Sequence, residues 1–200
     1  MREQEKIYDM VFVSRVWGGR EHNIRLFEKM AKVEGNNKFL AIFNDFDKKQ
    51  TITTSYKKRL EDAGVPWAQK DMPKGDLWNL MAKSRYVVIR AGKHLCIPWR
   101  MTDALCLGSS IILDADPYPQ WPKPLINKTH FIGLDIIRPW NTDPAEDKCY
   151  NAIPGNLVSI LNNMELQKSL SQNAQSYFDQ YATPEKVIQY VVDFILARNK

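Results

Sequence analysis

The chain has 200 residues, of which 44% are hydrophobic and 11% aromatic, so it can build one full-sized domain with a core of its own but not two of ordinary size. Its 28 basic and 23 acidic residues leave a net charge of +5, a modest excess that anionic small molecules explain as well as nucleic acid does. Cys96, Cys106 and Cys149 stand far apart, with no CxxC and no histidine at ligand spacing, which argues against a structural zinc site and against a disulfide framework.

Residues 8–14 form a short, mostly apolar and β-branched run, and Ile24, Phe27, Met30 and Ala31 then repeat at helical spacing, so the chain opens strand, loop, helix. Residues 38–44 give the next strand. Residues 55–63 read as a helix stopped by Gly64 at a C-cap, residues 65–68 as a weak strand, and residues 76–83 as a short helix. Then come a buried strand over 84–90, a polar glycine loop, a short helix carrying Arg100 and Asp103, a stop at Gly108, and a second buried strand over 110–114. Strands alternating with helices at this spacing predict an α/β fold, a Rossmann-like doubly wound parallel sheet flanked by helices.

Between Pro117 and Pro139 five prolines forbid long regular elements, apart from a brief strand over 130–133. The end is helical: residues 156–162, residues 165–181, and a last helix with Thr183 as N-cap and Pro184 at its first position. Val187, Tyr190, Val191, Phe194 and Ile195 give that helix an apolar face, so the C-terminal helices are expected to pack back on the domain. The expectation is a single domain over 1–200, disordered only in its first six and last few residues. No apolar run is long enough to span a bilayer and the polar start is no signal peptide, so the expected location is the cytoplasm or the membrane periphery.

Two loops could carry chemistry. The first, residues 14–23, joins a strand to a helix and holds Arg15, Gly18, Gly19, Arg20 and Asn23. Its glycines allow close backbone approach and its arginines supply charge for a phosphate, or it is simply a glycine turn with two solvated arginines. In the second, Gly92, Lys93 and His94 precede Pro98, which suits a helix start whose exposed amides form an anion site beside the basic pair. His94 is also a candidate general base or phosphate ligand, whereas His22 and His130 carry weaker signals. Asp103 could accept hydrogen bonds from ribose hydroxyls, or pair with Arg100 as a surface ion couple of little worth; its place between buried strands favours the ribose reading. Asp114 and Asp116 spell a DxD after a strand, which could hold a divalent cation against a diphosphate, although a plain strand end turning into Pro117 is the better reading.

Together these residues resemble the C-terminal, donor-binding half of a GT-B glycosyltransferase, group 1 or exostosin-like. The strand ending before Arg15, with Arg20 five places on, is similar to the family's basic loop that contacts the donor diphosphate. Arg100, Asp103, Ala104 and Gly108 resemble its "R..EA...G" helix, in which the acid binds the ribose, and Asn173, Ala174, Thr183, Pro184 and Glu185 resemble its closing helices. Cys96 stands where many retaining members carry a second glutamate, seven residues before the ribose-binding acid.

The resemblance implies metal-independent transfer of a sugar from a nucleotide-diphosphate sugar to an acceptor hydroxyl of a glycan or other molecule, as in polysaccharide biosynthesis. It implies Arg15, Gly19, Arg20, Gly92, Lys93, His94, Arg100 and Asp103 as donor-binding residues, with His94 as the catalytic candidate and neither a metal nor a further cofactor. The acceptor-binding N-terminal domain of the family has no counterpart in these residues, so it is expected in cis or on a partner subunit. Two other readings stay open: a metal-dependent transferase using Asp114 and Asp116, and a non-catalytic module binding anions or nucleic acid.

Overall fold

The computed structural model describes residues 4–15, 20–34, 38–44, 54–64, 66–69, 72–91, 96–115, 117, 123–136 and 147–198. Its strands are β1 (Tyr8–Arg15), β2 (Phe39–Asn44), β3 (Trp67–Gln69), β4 (Ser84–Ile89), β5 (Ser110–Leu113) and β6 (Ile132–Gly133). Its helices are α1 (Arg20–Ala31), α2 (Thr54–Asp62), α3 (Lys74–Ala82), α4 (Trp99–Leu107), α5 (Asp147–Leu161), α6 (Met164–Tyr177) and α7 (Pro184–Arg198). All strand pairings are parallel and the order is β3-β2-β1-β4-β5-β6, the doubly wound arrangement expected from the alternation of elements.

Side chains alternate across a strand, so a sheet covered on both faces splits its apolar residues by parity. Met10, Phe12, Tyr86, Val88 and Ile112 face one layer, made by α1, α2 and α5. Val11, Val13, Val87, Ile89, Ile111 and Leu113 face the other, made by α3, α4 and the end of α6.

The expected helix over 156–162 is the second half of α5, which runs through Pro154. A proline inside a helix costs about 3 kcal/mol or more. Tyr150, Ile153, Leu157 and Leu161 are all buried from this one helix, and at roughly 1.5–3 kcal/mol for each large apolar side chain their burial outweighs the lost backbone bond. The C-terminal end of α5 is held by β4: the Arg85 guanidinium donates to the Leu161 carbonyl at 2.7 Å and the Tyr86 hydroxyl to the Ile160 carbonyl at 2.9 Å. Burial pushes the Tyr86 phenol up to about 12, so it stays a donor.

Gly108 ends α4 in the left-handed region, at φ 63°, and its carbonyl accepts from the Ser171 hydroxyl of α6. A Cβ there would meet Gln175 Oε1 at 3.4 Å, an ordinary contact, so backbone strain alone sets the penalty. Gly108→Ala is expected to lower stability by about 1–2 kcal/mol in chemical denaturation; a neutral result would contradict the strained cap.

Two expectations are revised. Lys6, placed by composition in a disordered start, donates from Nζ to the Ala82 carbonyl at 2.7 Å. And although α5 and α6 do pack back on the domain, α7 does not: Ile188, Tyr190, Val191, Val192, Phe194, Ile195 and Leu196 are all exposed. The chain passes from α6 through a π-helical turn, Phe178–Ala182, into α7. No helix among the described residues is long and apolar enough to cross a membrane.

Candidate functional site at the carboxyl edge of the sheet

The sheet order reverses between β1 and β4, which are hydrogen-bonded neighbours. The helix following β1 packs on one face and the helix following β4 on the other, the arrangement that in open α/β sheets leaves a crevice at the carboxyl ends of the strands. The backbone places Arg15 at the end of β1 and Arg20 at the start of α1, flanking that crevice on one side. Gly19, Gly92, Lys93 and His94 lie outside the described residues.

On the other side stands α4. Pro98 is its N-cap rather than its first residue and provides no side-chain hydrogen bond, so the first turn has no acceptor from its cap. Arg100 turns inward and donates from Nη1 to the Val13 carbonyl of β1 at 2.9 Å, joining the start of α4 to the end of β1 across the switch point. Asp103, one turn further on and 20% exposed, lies 4.0 Å from Lys74 Nζ at the start of α3. The structure thus gives Arg100 and Asp103 separate neighbours, Val13 and Lys74. Lys74 also lies over the Trp78 ring, at 4.7 Å. Trp99 opens α4 at 89% exposure, and Cys96 is exposed.

The most buried polar group at this edge is one the sequence did not single out as such. Asp114 has no solvent exposure, and its Oδ1 accepts the Ala91 amide at 2.6 Å. Its Oδ2 lies 2.9 Å from His22 Nε2 and 3.6 Å from Arg90 Nε. With the carboxylate as acceptor, Nε2 carries the imidazole proton and Nδ1 accepts from the Tyr150 hydroxyl. The Arg25 guanidinium stacks 4.1 Å from the Tyr150 ring centroid. Burial pushes the His22 imidazole below its ordinary value of 6.5; Asp114 pulls upward, while Arg90 and Arg25 add to the downward push. Asp114 is therefore turned into the fold, not out toward a cation, and Asp116, the other half of the DxD, lies outside the described residues.

No family model and no curated protein matches the sequence. Solved structures do. The S. aureus TarM complex with fondaparinux, α-GlcNAc-glycerol and UDP matches 96% of this chain and 36% of that one at a TM-score of 0.63 and 11% identity. Anabaena HepE in complex with UDP-glucose matches 96% of this chain and 49% of that one, at a TM-score of 0.64 and 12% identity.

The fold is that of a GT-B glycosyltransferase domain. Its likeness to these proteins is one of architecture, and the chain spans less than half the length of TarM or HepE. By contrast, it spans 99% of the solved catalytic domain of the Helicobacter pylori cholesterol-α-glucosyltransferase, with 87% of its own length matched, a TM-score of 0.57 and 11% identity. In this chain Arg100 bridges α4 and β1 at the switch point, and Asp103 follows one helical turn along α4. Period-two parity was the signal for the buried network: Asp114 follows Ile112, and Arg90 follows Val88, on the face toward α1.

Proposed function

We propose that this chain is the donor-binding domain of a glycosyltransferase and holds a nucleotide-diphosphate sugar in the crevice between β1 and α4. The observation that carries the reading is the joint position of Arg100 and Asp103 at the switch point of a parallel sheet with the GT-B architecture. Asp103 accepts the ribose hydroxyls. Arg15, Arg20, Lys93 and the amides opening α4 offset the charge that grows on the leaving diphosphate, while Gly19 and Gly92 let the backbone approach it. His94 contacts the transferred sugar or its phosphate.

In the transfer the acceptor hydroxyl oxygen bonds to the anomeric carbon, the bond from that carbon to the diphosphate breaks, and the diphosphate leaves with the electron pair. The hydroxyl proton passes to a base. We assign the acceptor to a second domain, in cis or on a partner subunit. The charge on the chain's own residues supports transfer without a metal, and the buried Asp114 supports it too.

Calorimetric titration with UDP, GDP and ADP at moderate salt tests the reading. Saturable binding of at least one of them, unchanged by a chelator, is expected. Absence of binding to all three overturns the donor-binding reading, and binding that collapses in chelator revives a metal held through Asp116.

A further inference from the structure

The buried cluster of His22, Asp114, Tyr150 and Arg90 is not among the proposed donor contacts, yet it ties together the segments that carry them. His22 is in the first turn of α1, which opens at Arg20, and Ala91 is the last described residue before Gly92. Asp114 spans the two: Oδ1 accepts the Ala91 amide at 2.6 Å, and Oδ2 accepts from His22 Nε2 at 2.9 Å. The imidazole is pinned from its other side by the Tyr150 hydroxyl of α5. His22 and Asp114 are 4% and 0% exposed, so neither meets a ligand in the crevice.

A buried charged cluster is a poor way to gain stability, because well-packed apolar side chains of similar volume do as well or better. What such a cluster does supply is direction. A backbone amide bound by a buried carboxylate has one position, and a carboxylate bound by a pinned imidazole has one rotamer. The same residues link the exit of β4 to the first turn of α1, the helix that follows β1, and β1 and β4 are the two strands that flank the switch point.

We propose that His22 and Asp114 are positioning residues for donor binding. Asp114 fixes the exit of β4 through the Ala91 amide, and His22 fixes Asp114 against the first turn of α1. The exit of β4 at Ala91 and the first turn of α1 thereby keep one spacing beside the donor site. The inference rests on the donor-binding reading above.

The test compares wild type with His22→Gln, His22→Asn and His22→Leu, by titration with UDP, GDP and ADP and by hydrogen exchange at the Ala91 amide. All variants are measured where circular dichroism shows them folded. Glutamine can donate to Asp114 from its amide nitrogen and accept from Tyr150; asparagine is too short for the first bond, and leucine fills similar volume and makes neither. His22→Gln is expected to bind within about twofold of wild type with Ala91 still protected, while the other two bind at least about tenfold more weakly, the worth of roughly one hydrogen bond, and exchange Ala91 faster. His22→Asn serves if the leucine variant does not fold. Wild-type affinity in the asparagine or leucine variant overturns the positioning role and leaves the donor reading standing. No binding by wild type to any of the three overturns the donor reading and the positioning role with it.

Discussion

Asp103→Ala is expected to weaken nucleoside-diphosphate binding by about tenfold to a hundredfold, because hydrogen bonds from hydroxyls to a charged acceptor are worth about 1.5–3 kcal/mol. The same change should scarcely touch stability. Its neighbour Lys74 is 4.0 Å away and 68% exposed, and an ion pair of that kind contributes about 0–1 kcal/mol. A large loss of affinity with little loss of stability is the mark of a ligand contact, as opposed to a surface couple. Titration with the matching 2′,3′-dideoxy nucleotide completes the argument: wild type should lose the same factor on losing the hydroxyls, and Asp103→Ala should be indifferent to them. If Asp103→Ala binds the ribonucleotide as wild type does, the ribose assignment is wrong, although the fold assignment stands.

Most of the fold was legible because the rules behind it are local. Runs of apolar residues in β1, β2, β4 and β5 were short and bounded, and Gly64 and Gly108 mark helix ends where the backbone takes φ of 71° and 63°. Two places misled for opposite reasons. Pro154 and Gly155 look like a break, yet tertiary burial of Tyr150, Ile153, Leu157 and Leu161 carries α5 straight through them. In α7 the periodicity was right and the inference from it was not, since an apolar face reports that a helix is made to be covered, without saying by what.

The site divides in the same way. Helical spacing and a glycine stop are enough to put Arg100 and Asp103 on α4. The apolar repeat that signals α1 starts at Ile24 while the helix itself starts at Arg20, so sequence pattern alone puts His22 in the preceding loop. Asp114 was weighed as a cation ligand from a two-residue pattern, although strand parity already turned it toward α1. Its partners, Ala91, His22 and Arg90, come from distant parts of the chain, and no spacing in the sequence brings them together.

Asp114→Ala should cost about 3–5 kcal/mol of folding free energy, the usual penalty for removing one member of a buried charged pair. The loss leaves the Ala91 amide and His22 Nε2 without their acceptor and removes the carboxylate facing Arg90. Asp114→Asn should cost less: one amide oxygen still accepts from Ala91, and moving the imidazole proton to Nδ1 lets Nε2 accept from the new amide. The pH dependence has a fixed sign. His22 is buried with its protonation disfavoured below the ordinary 6.5, so its share of stability is complete above that value and declines as the pH falls toward the folded-state value, by up to about 1.4 kcal/mol per pH unit. His130, also lowered by burial, adds a term of the same sign. Denaturation curves between about pH 5 and pH 8 should therefore steepen on the acid side in wild type and flatten, though not fully, in His22→Gln. In Asp114→Ala the upward pull on the imidazole is gone while Arg90 and Arg25 remain, so its acid window should extend to lower pH than in wild type. Unchanged stability in Asp114→Ala, or an acid loss there smaller than that of wild type, would contradict the buried pair.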